Sequence, residues 1–223
     1  MIANPLASDI LFSIGPVRIG EAVVTTWGIM ALLVGGSAAI LRRPSGRWRA
    51  ALEMLVEAVS DQIEDTIRED PRSFLPLIGT LFLFILAANL SEVLPGIHAP
   101  TARLETAAAL ALVVFLAVHV YGIRRRGLVA YVGHYLKPFP LMLPLNVLSE
   151  LTRTLSLMVR LFGNIMSHEL IIAVVLALSG LLVPVPIMAL GVLIGAIQAY
   201  IFAMLATVFV GAAVGSFEAR RAP

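Results

Sequence analysis

Between Pro144 and Pro184 the chain runs for about 40 residues without an internal proline, and most of them are apolar. Built as one helix, that stretch (144–183) measures about 60 Å, twice a hydrocarbon layer of roughly 30 Å. It cannot stand upright in a bilayer and must be strongly inclined or kinked. Pro184 and Pro186 turn the chain. Residues 187–217 then form a second overlong apolar run of about 46 Å. The pair predicts two long, steeply tilted helices folded as a hairpin, with Gly163 and Gly180 as places where the first can break.

Composition agrees with lipid as the solvent. Of 223 residues, 59% are hydrophobic and 13% charged, with a mean hydropathy of +0.95, whereas soluble domains are roughly a quarter charged. Lipid offers backbone amides no partner outside their own helix, so the expected class is an all-α membrane protein. Nucleic-acid modules do not have this composition. The formal charge of +2 says little about an acidic partner. With no cysteine, thiolate metal sites are excluded and the chemistry rests on other side chains.

Residues 1–22 carry Pro5, Asp9, Pro16 and Arg18, so they lack the apolar core of a cleaved leader and read as an external N-terminal segment. The run 23–41 is long enough to span, and Arg42, Arg43, Arg47 and Arg49 follow it. By the positive-inside tendency this end faces the cytoplasm and the N-terminus lies outside. Over 49–70, Leu52, Leu55, Val56, Val59, Ile63 and Ile67 recur at helical spacing among acidic residues. This predicts an amphipathic interfacial helix, either a solvated connector or a contact for a protein partner. Spans at 74–94 and 106–123 follow, the second ending at Arg124, Arg125 and Arg126. Residues 127–143, with Pro138 and Pro140, are too broken to span and are placed at the inner interface. Arg220 and Arg221 put the C-terminus inside, which makes five crossings in a single membrane domain, 1–223.

The first tilted helix carries a polar face. Glu150, Arg153, Leu157, Arg160, Asn164, Ser167 and His168 recur at spacings of three or four, with Ser156 near the edge and Glu169 one step from His168. Ionisable groups at membrane depth are costly unless paired or wetted, and so mark function by default. Arg160 lies among Leu157, Met158, Val159, Leu161 and Phe162 without a counter-ion on its own helix. A guanidinium keeps its proton, so its partner belongs to another helix or chain; a static pair inside the bundle is the plainer alternative. Gln198, strongly polar in an apolar stretch, is the natural hydrogen-bond candidate for Arg160, or else glue between helices. His168 and Glu169 suit a proton or ion relay or a hydrogen-bonded interior pair. A zinc protease would need His-Glu-x-x-His, and the second histidine is missing. Asn89 and Glu92 on the second span can wet an outer vestibule, although solvation at the interface also accounts for Glu92. Gly191, Gly195 and Ala199 form a stripe of small residues suited to helix packing.

Several segments carry a resemblance. Leu157-Met158-Val159-Arg160-Leu161-Phe162-Gly163-Asn164, after Pro144 to Glu150, resembles the signature of subunit a of F-type ATP synthases. Ile197-Gln198-Ala199-Tyr200-Ile201-Phe202 resembles the last helix of that family, Asn89 to Pro95 its second span and Leu11 to Trp27 its outer N-terminal region. The resemblance implies a non-catalytic stator in a bacterial plasma membrane. It would work against a rotating ring of c subunits, with peripheral-stalk b subunits as further partners and ATP chemistry elsewhere. No cofactor, metal or nucleic acid is implied. Arg160 matches the arginine that faces the ring carboxylate. Asn164, Glu169 and Gln198 match polar channel positions, Glu150 a common acid, and Asn89 and Glu92 the outer half-channel. His168 stands where many relatives have a small residue, and Gly191 where some have an ionisable one. The transported ion, H+ or Na+, is left open. An autonomous secondary transporter is the competing expectation; it predicts inverted repeats, and the sequence shows none.

Overall fold

The computed structural model describes residues 10–14, 17–42, 46–93, 99–135, 139, 142–180 and 183–215. Pro95, Gly96, Arg43, Arg220 and Arg221, used above for turns and orientation, lie outside the described residues. The chain begins with an antiparallel hairpin, β1 (Ile10–Ile14) and β2 (Val17–Gly20), paired Ile14 to Val17 and Ser13 to Arg18, with an irregularity between Ile10 and Phe12. The sequence reading took this stretch as an external N-terminal segment and assigned it no strands. Its β-branched and aromatic residues alternate with a period of two, which is the signal of a short strand pair.

The other elements among the described residues are helices: α1 (Glu21–Leu41), α2 (Arg47–Ile67), α3 (Leu75–Leu90), α4 (Leu104–Arg126), α5 (Leu128–Tyr135), α6 (Met142–Ser179) and α7 (Pro184–Val214). Single 3₁₀ turns at Pro71–Ser73 and Ser91–Val93 flank α3, and a third at Pro100–Ala102 precedes α4. Four of the described helices are long and apolar enough to cross a membrane, and the 16-residue α3 is a shorter apolar fifth. At 38 and 31 residues, α6 and α7 reach about 57 and 46 Å. Proline sits in the first turn of each, where a missing amide costs nothing. Helix α6 passes unbroken through Gly163 and ends at Gly180, which takes the left-handed conformation.

One buried cluster joins five helices. Ile63 and Ile67 of α2, Ile78 and Ile85 of α3, Ala111 and Val114 of α4, Leu157 and Leu161 of α6 and Phe202, Ala206 and Val210 of α7 belong to it. Lipid tails are as apolar as these residues, so close packing by small side chains such as Ala199, Ala203 and Ala206 holds the helices together. The amphipathic α2 therefore packs on α3 and α7 through its apolar stripe, while Glu53, Glu57, Asp61, Glu64 and Asp65 stay exposed. The arginine-rich end of α4 is tied down as well. Arg125 pairs with Glu69 at 3.2 Å, and the Tyr121 hydroxyl donates to the Ser73 carbonyl at 3.0 Å. Arg126 lies against Gly215 just past the end of α7. These contacts put the ends of α2, α4 and α7 and the start of α3 on one side, called below the arginine-rich side.

Candidate functional site

The polar residues of α6 make a file along one helix, and α3 and α7 supply its partners. Towards the side opposite the arginines stands His168, 8% exposed. Its Nδ1 lies 2.9 Å from Glu92 Oε1 and its Nε2 lies 3.0 Å from the Ile187 carbonyl. A carbonyl can only accept, so Nε2 carries a hydrogen. The Nδ1 bond to Glu92 then needs one shared proton, held on the imidazole as an ion pair or on the carboxyl with the ring neutral. Glu92 is thus engaged by its neighbour rather than merely solvated. Gly191 makes room for this, since a Cβ there would come within 2.0 Å of the His168 ring. Glu169, the next residue on α6, is half-buried.

Asn89 is 3% exposed. Its Nδ2 donates to the Gly195 carbonyl at 2.9 Å, and its Oδ1 accepts from Thr101 Oγ1 at 2.7 Å. A Cβ at Gly195 would fall 2.8 Å from the Asn89 Cβ. Asn89, Glu92, His168 and Gly191 line a pocket of about 10 Å³, on the scale of a single water. The sequence reading placed Asn89 beside a vestibule; the structure binds it on both sides between α3, α7 and the Pro100–Ala102 turn.

One turn along α6, Asn164 Nδ2 donates to Gln198 Oε1 at 2.8 Å, which joins α6 to α7. Sequence reasoning offered Gln198 to Arg160; the structure pairs it with Asn164. An amide already facing an amide one turn away can bond it without a charge. Gln198 is 2% exposed and its Nε2 has no hydrogen-bond partner among the described residues.

Arg160 comes next and lies on the exposed side of α6. No carboxylate among the described residues pairs with it. Beyond it towards the arginine-rich side opens a cavity of about 500 Å³ between α6 and α7, lined in part by Ser149, Thr152, Arg153, Ser156 and Arg160. Arg153 sits 4.8 Å from the centroid of the Phe209 ring, a cation–π contact. Glu150, half-buried, lies about one turn before Arg153, and its carbonyl accepts from Thr154 Oγ1 at 3.0 Å. Sequence reasoning had not marked Thr101, Ser149, Thr152 or Phe209. The three hydroxyl residues look like ordinary polar breaks, and Phe209 like core.

The arrangement is that of a helical membrane protein with a file of polar groups running through it: a hydrogen-bonded histidine–carboxyl pair near one side, an amide pair, a cation without a carboxylate partner among the described residues and an open polar cavity towards the other side. A model of the ATP synthase A chain family matches residues 22–211. A protein of Bradyrhizobium sp. (strain BTAi1) named "ATP synthase subunit a 2" is 59% identical, covering 97% of this chain and 98% of its own length. One of Chlorobaculum parvum named "ATP synthase subunit a 1" is 47% identical over 96% and 97%. One of Pelobacter propionicus named "ATP synthase subunit a 2" is 45% identical over 96% and 95%. The chain belongs to the ATP synthase A chain family.

Proposed function

We propose that this chain is the stator of the membrane sector of an F-type ATP synthase, a single multi-pass membrane domain that forms the ion path against a rotating c ring. It performs no ATP chemistry itself. The observation that carries this reading is Arg160, an exposed cation with no carboxylate of its own chain among the described residues. It stands on a face of α6 where Leu145, Ile171, Val174 and Leu178 are also exposed. A charge left open on an apolar face asks for a mobile anion from a neighbouring subunit. The autonomous-transporter reading loses its support, because the relatives named above match this chain over nearly its whole length as ATP synthase subunits.

The physics is direct. A ring carboxylate crosses lipid most cheaply when protonated or ion-occupied. Beside Arg160 Coulomb attraction favours the bare anion, so the ion is released there. The Glu92–His168 pair stands on the loading path from one side, and the cavity lined by Ser149, Thr152 and Ser156 on the release path to the other. Arg160 between them blocks direct leakage. Gln198, bonded to Asn164 one turn from Arg160, holds α7 against the helix that carries the cation. Glu169 and Glu150 supply further acidic positions on the two halves. Moving one charge through 100 mV yields about 2.3 kcal/mol, so several ions must combine for one nucleotide, and rotation sums them. The arginine-rich side faces the bacterial cytoplasm with the C-terminus, and the N-terminus faces outside. Peripheral-stalk b subunits hold the chain against the torque, and the coupling ion is H+ or Na+.

The test is Arg160→Ala in the whole complex in membrane vesicles. Ion-driven ATP synthesis is expected to vanish while the complex still assembles. Normal synthesis in that variant would refute the reading.

A further inference from the structure

We propose that Arg153 is a second fixed cation of the path, which weakens the hold of the partner's carboxylate on its ion on the arginine-rich side of Arg160. The proposal rests on the reading of Arg160 given above. Arg153 and Arg160 are the charged side chains that line the cavity of about 500 Å³. They stand two helical turns, about 10 Å, apart along α6. A long arginine side chain ordinarily snorkels its charge into water or headgroups. Arg153 is instead half-buried, its guanidinium held 4.8 Å from the Phe209 ring. The contact keeps the charge on the cavity wall, where a carboxylate arriving beside Arg160 feels it.

No acid is among the described residues that line the cavity. Helix α7 contributes Leu205 and Phe209 to the lining. Helix α4, with His119 and the arginines at its end, and α5, with Tyr131, pack against α6 but line none of the cavity. Glu150 is the nearest acid in sequence, about one turn away on α6, and it too is outside the lining. Ser149, Thr152 and Ser156 add hydroxyls, which can wet the cavity without altering its charge. Arg160 thus fixes where the ion is released, and Arg153 sets how readily it is recaptured from that side. At about 10 Å and an effective dielectric between water and dry protein, a unit charge shifts a carboxylate's ion affinity by roughly three- to tenfold.

The test uses inverted vesicles carrying the whole complex, whose outer medium bathes the arginine-rich side. ATP-driven pumping is measured against the concentration of the coupling ion in that medium. Protons are varied through pH and sodium through added salt with an uncoupler, each normalised to uncoupled ATP hydrolysis. Arg153→Gln is expected to lower the half-saturating ion concentration about three- to tenfold, because the carboxylate then binds its ion more tightly. Arg153→Lys should restore the wild-type value, which a purely structural role for the side chain would not explain. Phe209→Leu, which keeps the charge but releases it, should give a smaller shift in the same direction. An unchanged half-saturating concentration in Arg153→Gln overturns the proposal, and if that variant fails to assemble, an unchanged value in Phe209→Leu does so. Full pumping by an Arg160→Ala complex would instead sink the underlying reading.

Discussion

The imidazole of His168 occupies the space that a side chain on Gly191 would need: a Cβ at position 191 would sit 2.0 Å from His168 Cε1 and 2.5 Å from Nε2. The two residues are complementary in volume, one large on α6 and one absent on α7. The missing side chain is what lets the ring reach both Glu92 and the Ile187 carbonyl.

Gly191→Ala should therefore displace the ring and cost about 1–3 kcal/mol, as overpacking typically does. Thermal melting of the purified complex would register it. Adding His168→Ala to the same chain should recover most of the loss, and a Gly191→Ala complex that melts like the wild type contradicts the packing described.

Glu92→Gln replaces a titrating partner with an amide that can still bond His168 Nδ1. Assembly should persist while ATP synthesis driven by an ion gradient falls several-fold. Undiminished synthesis would show that the shared proton has no part in loading.

Asn89→Ala and Thr101→Val break the same linkage from opposite ends, each leaving a buried polar atom unsatisfied at about 1–3 kcal/mol. Their effects on melting should be strongly non-additive, the double variant costing little more than the worse single one. Simple addition would mean that the two side chains act independently.

Gln198→Leu leaves Asn164 without its partner across α6 and α7, yet leaves the charge at Arg160 in place. The rate of ATP synthesis should drop less than in Arg160→Ala. An equally complete loss would assign the amide more than a supporting role.

Much of this was readable in advance because a bilayer is a strict solvent. Length and hydropathy marked α6 and α7 as overlong, and helical spacing put Arg160, Asn164 and His168 on one face. The reading failed where the outcome depended on which helices touch. Nothing in the sequence says that α7 approaches α6 so that Gln198 meets Asn164 rather than Arg160, or that Gly191 meets His168. Gly163 looked like a break, but a single glycine does not end a helix when its neighbours all favour one. The β1–β2 hairpin was overlooked because proline and charge within residues 1–22 outweighed a short alternating pattern. Asn89 looked like a wet residue because nothing in its own segment names Thr101 or Gly195 as its partners.

The carbonyl of Ile187 fixes which nitrogen of His168 is left to take part in the proposed path. A histidine that conducts takes a proton on one nitrogen and surrenders another from the far one. With Nε2–H committed to an acceptor that has no proton to give back, His168 cannot be crossed in that way while the ring stays put. On the proposed path, a proton reaching His168 would have to arrive and leave through Nδ1, which would make the imidazole a cul-de-sac that returns a charge on the face where it came in.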